Sequence, residues 1–223
     1  MKGLNYVKEL KKHVGAPYVY GAKQNKQFNI FYNKKKIKQL KKQYPNQIWK
    51  SDLTKSGFCC DCSGFVDYLF QKGYNSSALF SKAHKRLNIR NGHTLVNVKD
   101  IPIGAILYKK GHVGIFYGWK KRTPYYIAED GSATNCRINK LKDSEFYLAL
   151  SNIEGYSLTT FKPRKVKTKN KCLAYTTPNK KKIKRKYRKG KKLWVVGFIG
   201  DYYLARYYSY NQDCWIHKKN LKF

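Results

Sequence analysis

The decisive stretch of this chain is Asp61-Cys62-Ser63-Gly64-Phe65-Val66, in which a cysteine opens an apolar run of helical spacing. A second stretch, Gly111-His112-Val113-Gly114-Ile115, places a histidine at the start of a strand-like run. The thiolate is the reactive form of cysteine, and both a helix N-terminus and a nearby imidazolium favour it. The two stretches therefore predict a thiol nucleophile, Cys62, and its base, His112.

The charge of the chain is strongly unbalanced. Its 223 residues contain 48 lysines and arginines against 12 aspartates and glutamates, which gives a formal net charge of +36. Such an excess favours electrostatic capture by a polyanion, whether nucleic acid, an anionic membrane or an anionic cell wall. A solvated, lysine-rich surface accounts for part of this excess.

Six cysteines are present, at positions 59, 60, 62, 136, 172 and 214. Cys59, Cys60 and Cys62 are too close in sequence to form a tetrahedral zinc site among themselves, and no paired ligand motif follows them. We therefore expect no metal and no cofactor, with one special thiol at Cys62. The sequence leaves open whether Cys172 and Cys214 form a disulfide or stay as free thiols.

The N-terminal segment, Met1-Lys2-Gly3-Leu4-Asn5-Tyr6, lacks the continuous apolar core of a secretory signal. No apolar run reaches the length of a membrane span. We therefore expect a chain that is made in the cytoplasm without a signal peptide and has no membrane span. If its target lies outside the membrane, it must leave the cell by another route.

Apolar spacing predicts helices in the first part of the chain and strands after it. Helical spacing covers four segments, 4–13, 34–43, 62–72 and 77–87. Short apolar runs between turn residues then predict antiparallel strands at 103–108, 112–119, 124–128 and within 136–150. Helices first and a sheet second indicate an α+β architecture.

The last part of the chain has a different pattern. A polar, lysine-rich tract predicts a linker, and the strand-like runs beyond it, with no helix, predict a small all-β barrel. The barrel strands are expected at 173–176, 193–198, 202–208 and 214–217. The expected organisation is a catalytic domain over 1–154, a basic linker over 155–171 and a barrel over 172–223.

Three stretches, in this order, resemble the NlpC-type cell-wall cysteine peptidases, a papain-like family that cleaves bacterial peptidoglycan. They are Gly15-Ala16-Pro17-Tyr18-Val19-Tyr20-Gly21-Ala22 and the two stretches around Cys62 and His112. The resemblance covers roughly residues 5–150. It implies papain-like N-terminal helices packed on an antiparallel sheet, and a thiol hydrolase that cuts an amide of the stem peptide between γ-D-glutamate and the diamino acid.

The same resemblance implies a role for each site residue. Cys62 is the nucleophile, with its backbone N–H as a candidate oxyanion donor, and His112 is the general base. Tyr18 lines the substrate cleft beside the nucleophile. Asp61 and Ser63 flank Cys62 and hold the free amino end of the substrate.

The residue that orients His112 is where this sequence departs from the family, which usually has a polar residue, often histidine, on the next strand. Here that strand reads Tyr125-Tyr126-Ile127-Ala128-Glu129-Asp130. A strict alignment puts Ala128 at the position, and an alanine cannot orient an imidazole. A shift of one residue gives Glu129, whose carboxylate can accept the imidazole N–H. We predict Glu129, with Asp130 as the alternative.

The C-terminal segment resembles, more faintly, the bacterial Src-homology-3-like barrels that accompany wall hydrolases. The matching features are Gly190-Lys-Lys-Leu-Trp-Val-Val196 and Cys214-Trp-Ile-His-Lys-Lys-Asn-Leu221. In that family the barrel binds peptidoglycan or its attached polymers. The whole chain then resembles a phage endolysin, with bacterial peptidoglycan and anionic wall polymers as partners and the wall of a lysing host as its place of action.

Two other functions stay open. One is a basic, aromatic-rich binding protein for nucleic acid or wall polymer, in which Cys62 is structural. The other is an acyltransferase, in which an amine instead of water resolves the thioester. The coincidence of three separate motifs argues against nucleic acid as the partner.

Overall fold

The computed structural model describes residues 2–22, 34–43, 45, 60–120, 123–130, 135–158, 161, 163–176, 183–199, 201–207 and 210–223. Within these ranges the protein is mainly β, with 47% strand and 22% helix. The α-helices there are α1 (Gly3–Leu10), α2 (Lys34–Gln43), α3 (Cys62–Asp67) and α4 (Ser76–Ser81). None of these helices is long and apolar enough to cross a membrane.

The strands of the same ranges form three antiparallel sheets. In chain order they are β1 (Ala83–Asn88), β2 (Arg90–Asn91), β3 (Thr94–Leu95), β4 (Ile106–Lys109), β5 (His112–Lys120), β6 (Thr123–Asp130), β7 (Asn135–Lys140), β8 (Leu148–Ile153), β9 (Arg164–Thr168), β10 (Cys172–Tyr175), β11 (Ile183–Tyr187), β12 (Lys192–Ile199), β13 (Tyr202–Tyr207), β14 (Tyr210–His217) and β15 (Leu221–Lys222). The first sheet has the order β1-β8-β4-β5-β6-β7, and the second has the order β11-β10-β14-β13-β12-β9-β15. Strands β2 and β3 pair as a short ribbon.

The predicted α+β class, with papain-like N-terminal helices packed on a sheet and a small barrel behind them, is wrong. The chain is mainly β, and the α-helices of its described ranges are four short segments without a helical N-terminal domain. Each contains between six and ten residues. Helices of this length bury one narrow stripe each, so the sheets supply most of the core.

Two predicted helices are shorter in the structure, for identifiable reasons. The 62–72 segment is helical only to Asp67, because the N–H groups of Phe70 and Gln71 both turn back to the Asp67 carbonyl and Gln71 adopts φ +53°. The 77–87 segment begins as α4 and then becomes strand β1. Pairing of β1 with β8 satisfies the backbone of this part and overrides its helical spacing.

Helix α1 lies between the two sheets. Its buried face, with Tyr6, Val7 and Leu10, belongs to the core of the first sheet. On the other side, Leu4 contacts strand β12 so closely that a Cβ on Gly197 would lie 2.4 Å from the Leu4 side chain. Val196 and Leu204, from the second sheet, join the same core. A second, separate core fills the inside of the second sheet.

The tract predicted as a linker contributes to this second sheet. Residues Arg164–Thr168 form β9, which pairs with both β12 and β15. Val166 and Thr168 are buried, and the other residues of the strand, Arg164, Lys165 and Lys167, are exposed. The burial pattern therefore alternates over part of the strand, although the basic residues give the segment the polarity of a linker. Two cysteines in the second core, Cys172 and Cys214, are free thiols.

Gly3 allows α1 to approach the chain before β4. A Cβ at this position would lie 2.1 Å from the carbonyl oxygen of Ile103, a backbone atom that cannot rotate away. Gly3→Ala is therefore expected to destabilise the protein by about 1–3 kcal/mol, although alanine is the better helix former by about 1 kcal/mol. Urea unfolding measures the change, with Asn5→Ala on the same helix as the control. A more stable Gly3→Ala variant would contradict this packing of α1.

Candidate functional site

Cys62 is the first residue of α3 and is buried. Asp61 caps the helix: its Oδ1 accepts the backbone N–H of Gly64 at 2.6 Å and the hydroxyl of Ser63 at 2.9 Å. This Asp-x-x-Gly cap explains why the helix begins at the cysteine. The Asp61 carboxylate thus holds Ser63 and the start of the helix, and the predicted role of Asp61 and Ser63 in binding the amino end of the substrate stays a prediction.

The immediate surroundings of Cys62 do little to favour its thiolate. Helix α3 has six residues, so few peptide dipoles add up at its N-terminus. The neighbouring Asp61 carboxylate, if ionised, disfavours a second negative charge beside it. Activation of the thiol therefore depends on an external base.

Tyr18 lies beside Cys62, as the sequence predicts. It forms an isolated parallel bridge with Cys60, and the N–H of Val19 donates to the Cys60 carbonyl at 3.0 Å. The N–H of Asp61 donates to Ala22 at 3.0 Å and fixes the other end of this loop. Burial raises the pKa of Tyr18, and the nearby Cys62 thiol raises it further. Tyr18 is therefore a neutral phenol beside the thiol.

His112 is the first residue of β5 and stacks on Phe146, with ring centroids 5.4 Å apart and planes at 14°. Burial lowers the pKa of His112 below its ordinary value. The Asp130 carboxylate raises this pKa and the Lys109 ammonium lowers it, but burial is the largest influence. The imidazole is consequently neutral near pH 7, as a general base requires.

Asp130, and not Glu129, shares a face of the sheet with His112. A Cβ on Gly114 would lie 3.1 Å from the Ala128 Cβ, so these two residues point to the same side. Side chains alternate along a strand, which puts His112 and Asp130 on that side and Glu129 on the other. The one-residue shift that favours Glu129 in the sequence therefore selects a side chain on the face opposite His112.

Glu129 belongs to a different, buried group. Its carboxylate is fully buried and accepts a weak hydrogen bond from the Cys60 thiol at 3.8 Å. It stands opposite Cys136 in the β6–β7 ladder, and the pKa of the Cys136 thiol is raised first by burial and then by Glu129. The surroundings of Glu129 are those of a structural residue beneath the Tyr18 loop.

His112 lines a cavity of about 500 Å³ whose walls contain both acidic and basic side chains. Arg137 donates to Asp130 at 2.7 Å, and Lys109 forms an ion pair with Glu145. The lining residues are Lys109, His112, Tyr126, Asp130, Arg137, Asn139, Asp143, Ser144, Glu145 and Phe146. The cavity is large enough for a peptide segment.

Cys62 and His112 lie on elements that pack together, since α3 packs on β5 and β6. Among the described residues, the ring neighbour of His112 is Phe146, and the charges acting on it are those of Asp130 and Lys109. The thiol and the imidazole are not joined by a hydrogen bond. The structure thus assembles two half-sites, one with Tyr18 around Cys62 and one with Asp130 around His112.

Two residues of the His112 half-site, Arg137 and Phe146, were not predicted from the sequence. Arg137 alternates with the buried Cys136 and the half-buried Ile138 along β7, so the sequence predicts which face of the strand it occupies. The pairing of β5, β6 and β7 is needed to show that Arg137 lies on the same face of the sheet as His112. Phe146 follows a 3₁₀ turn and carries no sequence signal for the site.

No protein-family model, no curated protein and no solved structure matches this chain. The resemblance of the three sequence motifs to a family of wall peptidases therefore stays a proposal.

Proposed function

We propose that this protein is a cysteine-dependent peptidoglycan endopeptidase that hydrolyses an amide bond in the stem peptide of the bacterial wall. The observation that carries the proposal is the ordered set of three motifs around Tyr18, Cys62 and His112. In the structure α3, which begins with Cys62, packs on β5, which begins with His112. A neutral imidazole beside a carboxylate supplies the base that Cys62 needs.

In this mechanism His112 removes the proton of the Cys62 thiol as the sulfur attacks the amide carbon. The tetrahedral intermediate places its oxyanion near the backbone N–H of Cys62. His112 then gives the proton to the leaving amine, which departs and leaves a thioester on Cys62. Water, deprotonated by His112, attacks the thioester and releases the acid and the free thiol.

Several features support bacterial wall as the substrate. The three motifs resemble those of wall peptidases, which implies the bond between γ-D-glutamate and the diamino acid as the one cut. Exposed Arg164, Lys165 and Lys167 on β9 favour adsorption to the phosphate-rich polymers of Gram-positive walls. A hydrolytic site joined to such a basic sheet suits a phage endolysin, which acts on the wall when the host lyses.

The pH dependence of the reaction tests the role of His112. The base must be neutral, and burial lowers its pKa, so the acid limb of kcat/KM is expected below pH 6.5, the ordinary value for histidine. The measurement is the pH–rate profile on a soluble stem peptide. An acid limb well above pH 6.5 would show that a group other than this buried imidazole controls the rate.

Paired substitutions decide which carboxylate orients the base. Asp130→Asn is expected to lower kcat by roughly 10²–10⁴-fold and to move the acid limb to still lower pH, since the carboxylate raises the pKa of His112. Glu129→Gln, on the other face, is expected to keep kcat within a few-fold. Thermal unfolding confirms that both variants are folded. The reverse pattern of kcat values would assign the role to Glu129.

A second candidate function is a wall-polymer or nucleic-acid binding protein without catalysis. It is favoured by the separation of Cys62 and His112 into two half-sites without a hydrogen bond between them. In that case Cys62→Ala leaves function intact. An acyltransferase uses the same thioester, and only the products, an acid or a new amide, distinguish it from a hydrolase.

A further inference from the structure

Arg137 lies at the edge of the His112 cavity, where the Asp130 carboxylate holds its guanidinium. Its Nη2 donates to Asp130 Oδ2 at 2.7 Å. About 45% of the Arg137 side chain is exposed, against 20% for Asp130. Among the described residues the other guanidinium donors have no hydrogen-bond partner, and the side chain lines the cavity. A planar guanidinium fixed in this way is suited to bind a second carboxylate.

The sheet places Asp130 between Arg137 and His112. Arg137 stands opposite Ala128 in the β6–β7 ladder, one residue pair from Asp130 on the same face. On the other side of β6, His112 lines the same cavity as Asp130, and the Asp130 carboxylate acts on the imidazole. Neighbouring strands lie roughly 5 Å apart. An anion bound to Arg137 is therefore expected close to the nitrogen of the scissile amide, which receives a proton from His112 in the proposed reaction.

We propose that Arg137 binds a free carboxylate of the substrate next to the scissile amide, and that Asp130 fixes the guanidinium for this purpose. The inference rests on the proposed function, whose scissile amide is formed by the γ-carboxyl of D-glutamate. The α-carboxyl carbon of that residue lies four carbon–carbon bonds from the γ-carboxyl carbon, and the group is either a free carboxylate or a carboxamide. Arg137 then selects walls in which this group is free.

The selectivity follows from the chemistry of the two groups. A carboxylate accepts two charge-assisted hydrogen bonds from a guanidinium. A carboxamide offers one neutral oxygen, and its NH₂ group is repelled by the N–H donors of the arginine. A difference of about 10- to 100-fold in affinity between the two peptides is expected from one charge-assisted pair.

The test is calorimetric binding of two tripeptides, L-Ala-γ-D-Glu-L-Lys and its α-carboxamide analogue, to the full-length Cys62→Ala variant, which cannot cleave them. The carboxylate peptide is expected to bind about 10- to 100-fold more tightly. Adding Arg137→Gln is expected to reduce this preference to less than about 3-fold. Arg137→Lys is expected to give a preference between those of Cys62→Ala alone and of the Arg137→Gln variant. Lys140→Gln is the matched control: it removes one exposed positive charge from the same strand, on the opposite face.

Each outcome has a definite meaning. Equal binding of the two peptides, no binding of either, or a preference that survives Arg137→Gln overturns the inference. If the wild-type protein cleaves both peptides at the same rate, the inference fails and the hydrolase proposal stands. If Cys62→Ala prefers the carboxylate through Arg137 while the wild type cleaves neither peptide, the carboxylate site stands and the hydrolase proposal fails.

Discussion

Replacing Cys62 with alanine is expected to slow the release of soluble fragments from Gram-positive cell walls by at least ~10³-fold, because the thiol is the nucleophile of the proposed reaction. Binding of the protein to walls is expected to be unchanged, since the basic surface of β9 lies on the other sheet. The loss of turbidity of a wall suspension measures the first quantity. Co-sedimentation with the same walls measures the second.

Cys60→Ala is the matched control for this experiment. Cys60 is also buried, lies two residues before Cys62 and donates to the Glu129 carboxylate. Its replacement is expected to leave the lytic rate within a few-fold of the wild type. A Cys62→Ala variant that still dissolves walls, or a Cys60→Ala variant that fails to do so while remaining folded, would contradict the assignment of the nucleophile.

Asp67→Ala is expected to cause the largest loss of stability, about 3–5 kcal/mol in the free energy of unfolding. The Asp67 carboxylate is fully buried at the end of α3. Its Oδ1 accepts the hydroxyl of Tyr156 at 2.7 Å, and its Oδ2 accepts the N–H of Gly73 at 2.7 Å. Removal of the carboxylate leaves both donors without this acceptor and opens a cavity under the turn. Chemical denaturation monitored by tryptophan fluorescence measures the change.

Tyr156→Phe separates the two bonds to Asp67. It removes the hydroxyl and keeps the ring, which stacks on Phe70 at 4.0 Å between centroids. The expected loss is about 1–3 kcal/mol, less than for Asp67→Ala. Equal stability of Asp67→Ala and the wild type would show that the carboxylate does not fix the end of α3. The site would then lack the support expected from this turn.

The parts of the fold that sequence predicts are those with strong local periodicity. The 34–43 segment is α2, and the predicted strands at 112–119 and 124–128 lie within β5 and β6. The sequence-based predictions fail where pairing between distant strands determines the secondary structure. Residues 83–88 have helical spacing but pair with β8, and residues 164–168 have the polarity of a linker but lie between β12 and β15. These local errors together favoured a helical N-terminal domain in a chain that is mainly β.

The site shows the same division between local and long-range information. The family resemblance implies that Tyr18 lies beside Cys62, and in the structure the Cys62 thiol is near enough to raise the pKa of Tyr18. The choice between Glu129 and Asp130 depends on which face of β6 meets His112, and a shift of one residue reverses it. Arg137 joins the site through the β6–β7 ladder alone. Chemistry that lies within one motif is readable from the sequence, whereas chemistry assembled across strands is not.

The most direct measurement is mass spectrometry of fragments released from purified Gram-positive peptidoglycan by the wild-type protein and by Cys62→Ala. If the protein is a thiol endopeptidase, the wild-type digest contains new amino and carboxyl termini within the stem peptide, at the γ-D-glutamyl bond. The variant digest contains no such termini. Identical fragments from both proteins, or intact walls that bind both, would contradict a thiol endopeptidase. In that case the basic, mainly β chain would be a binding protein.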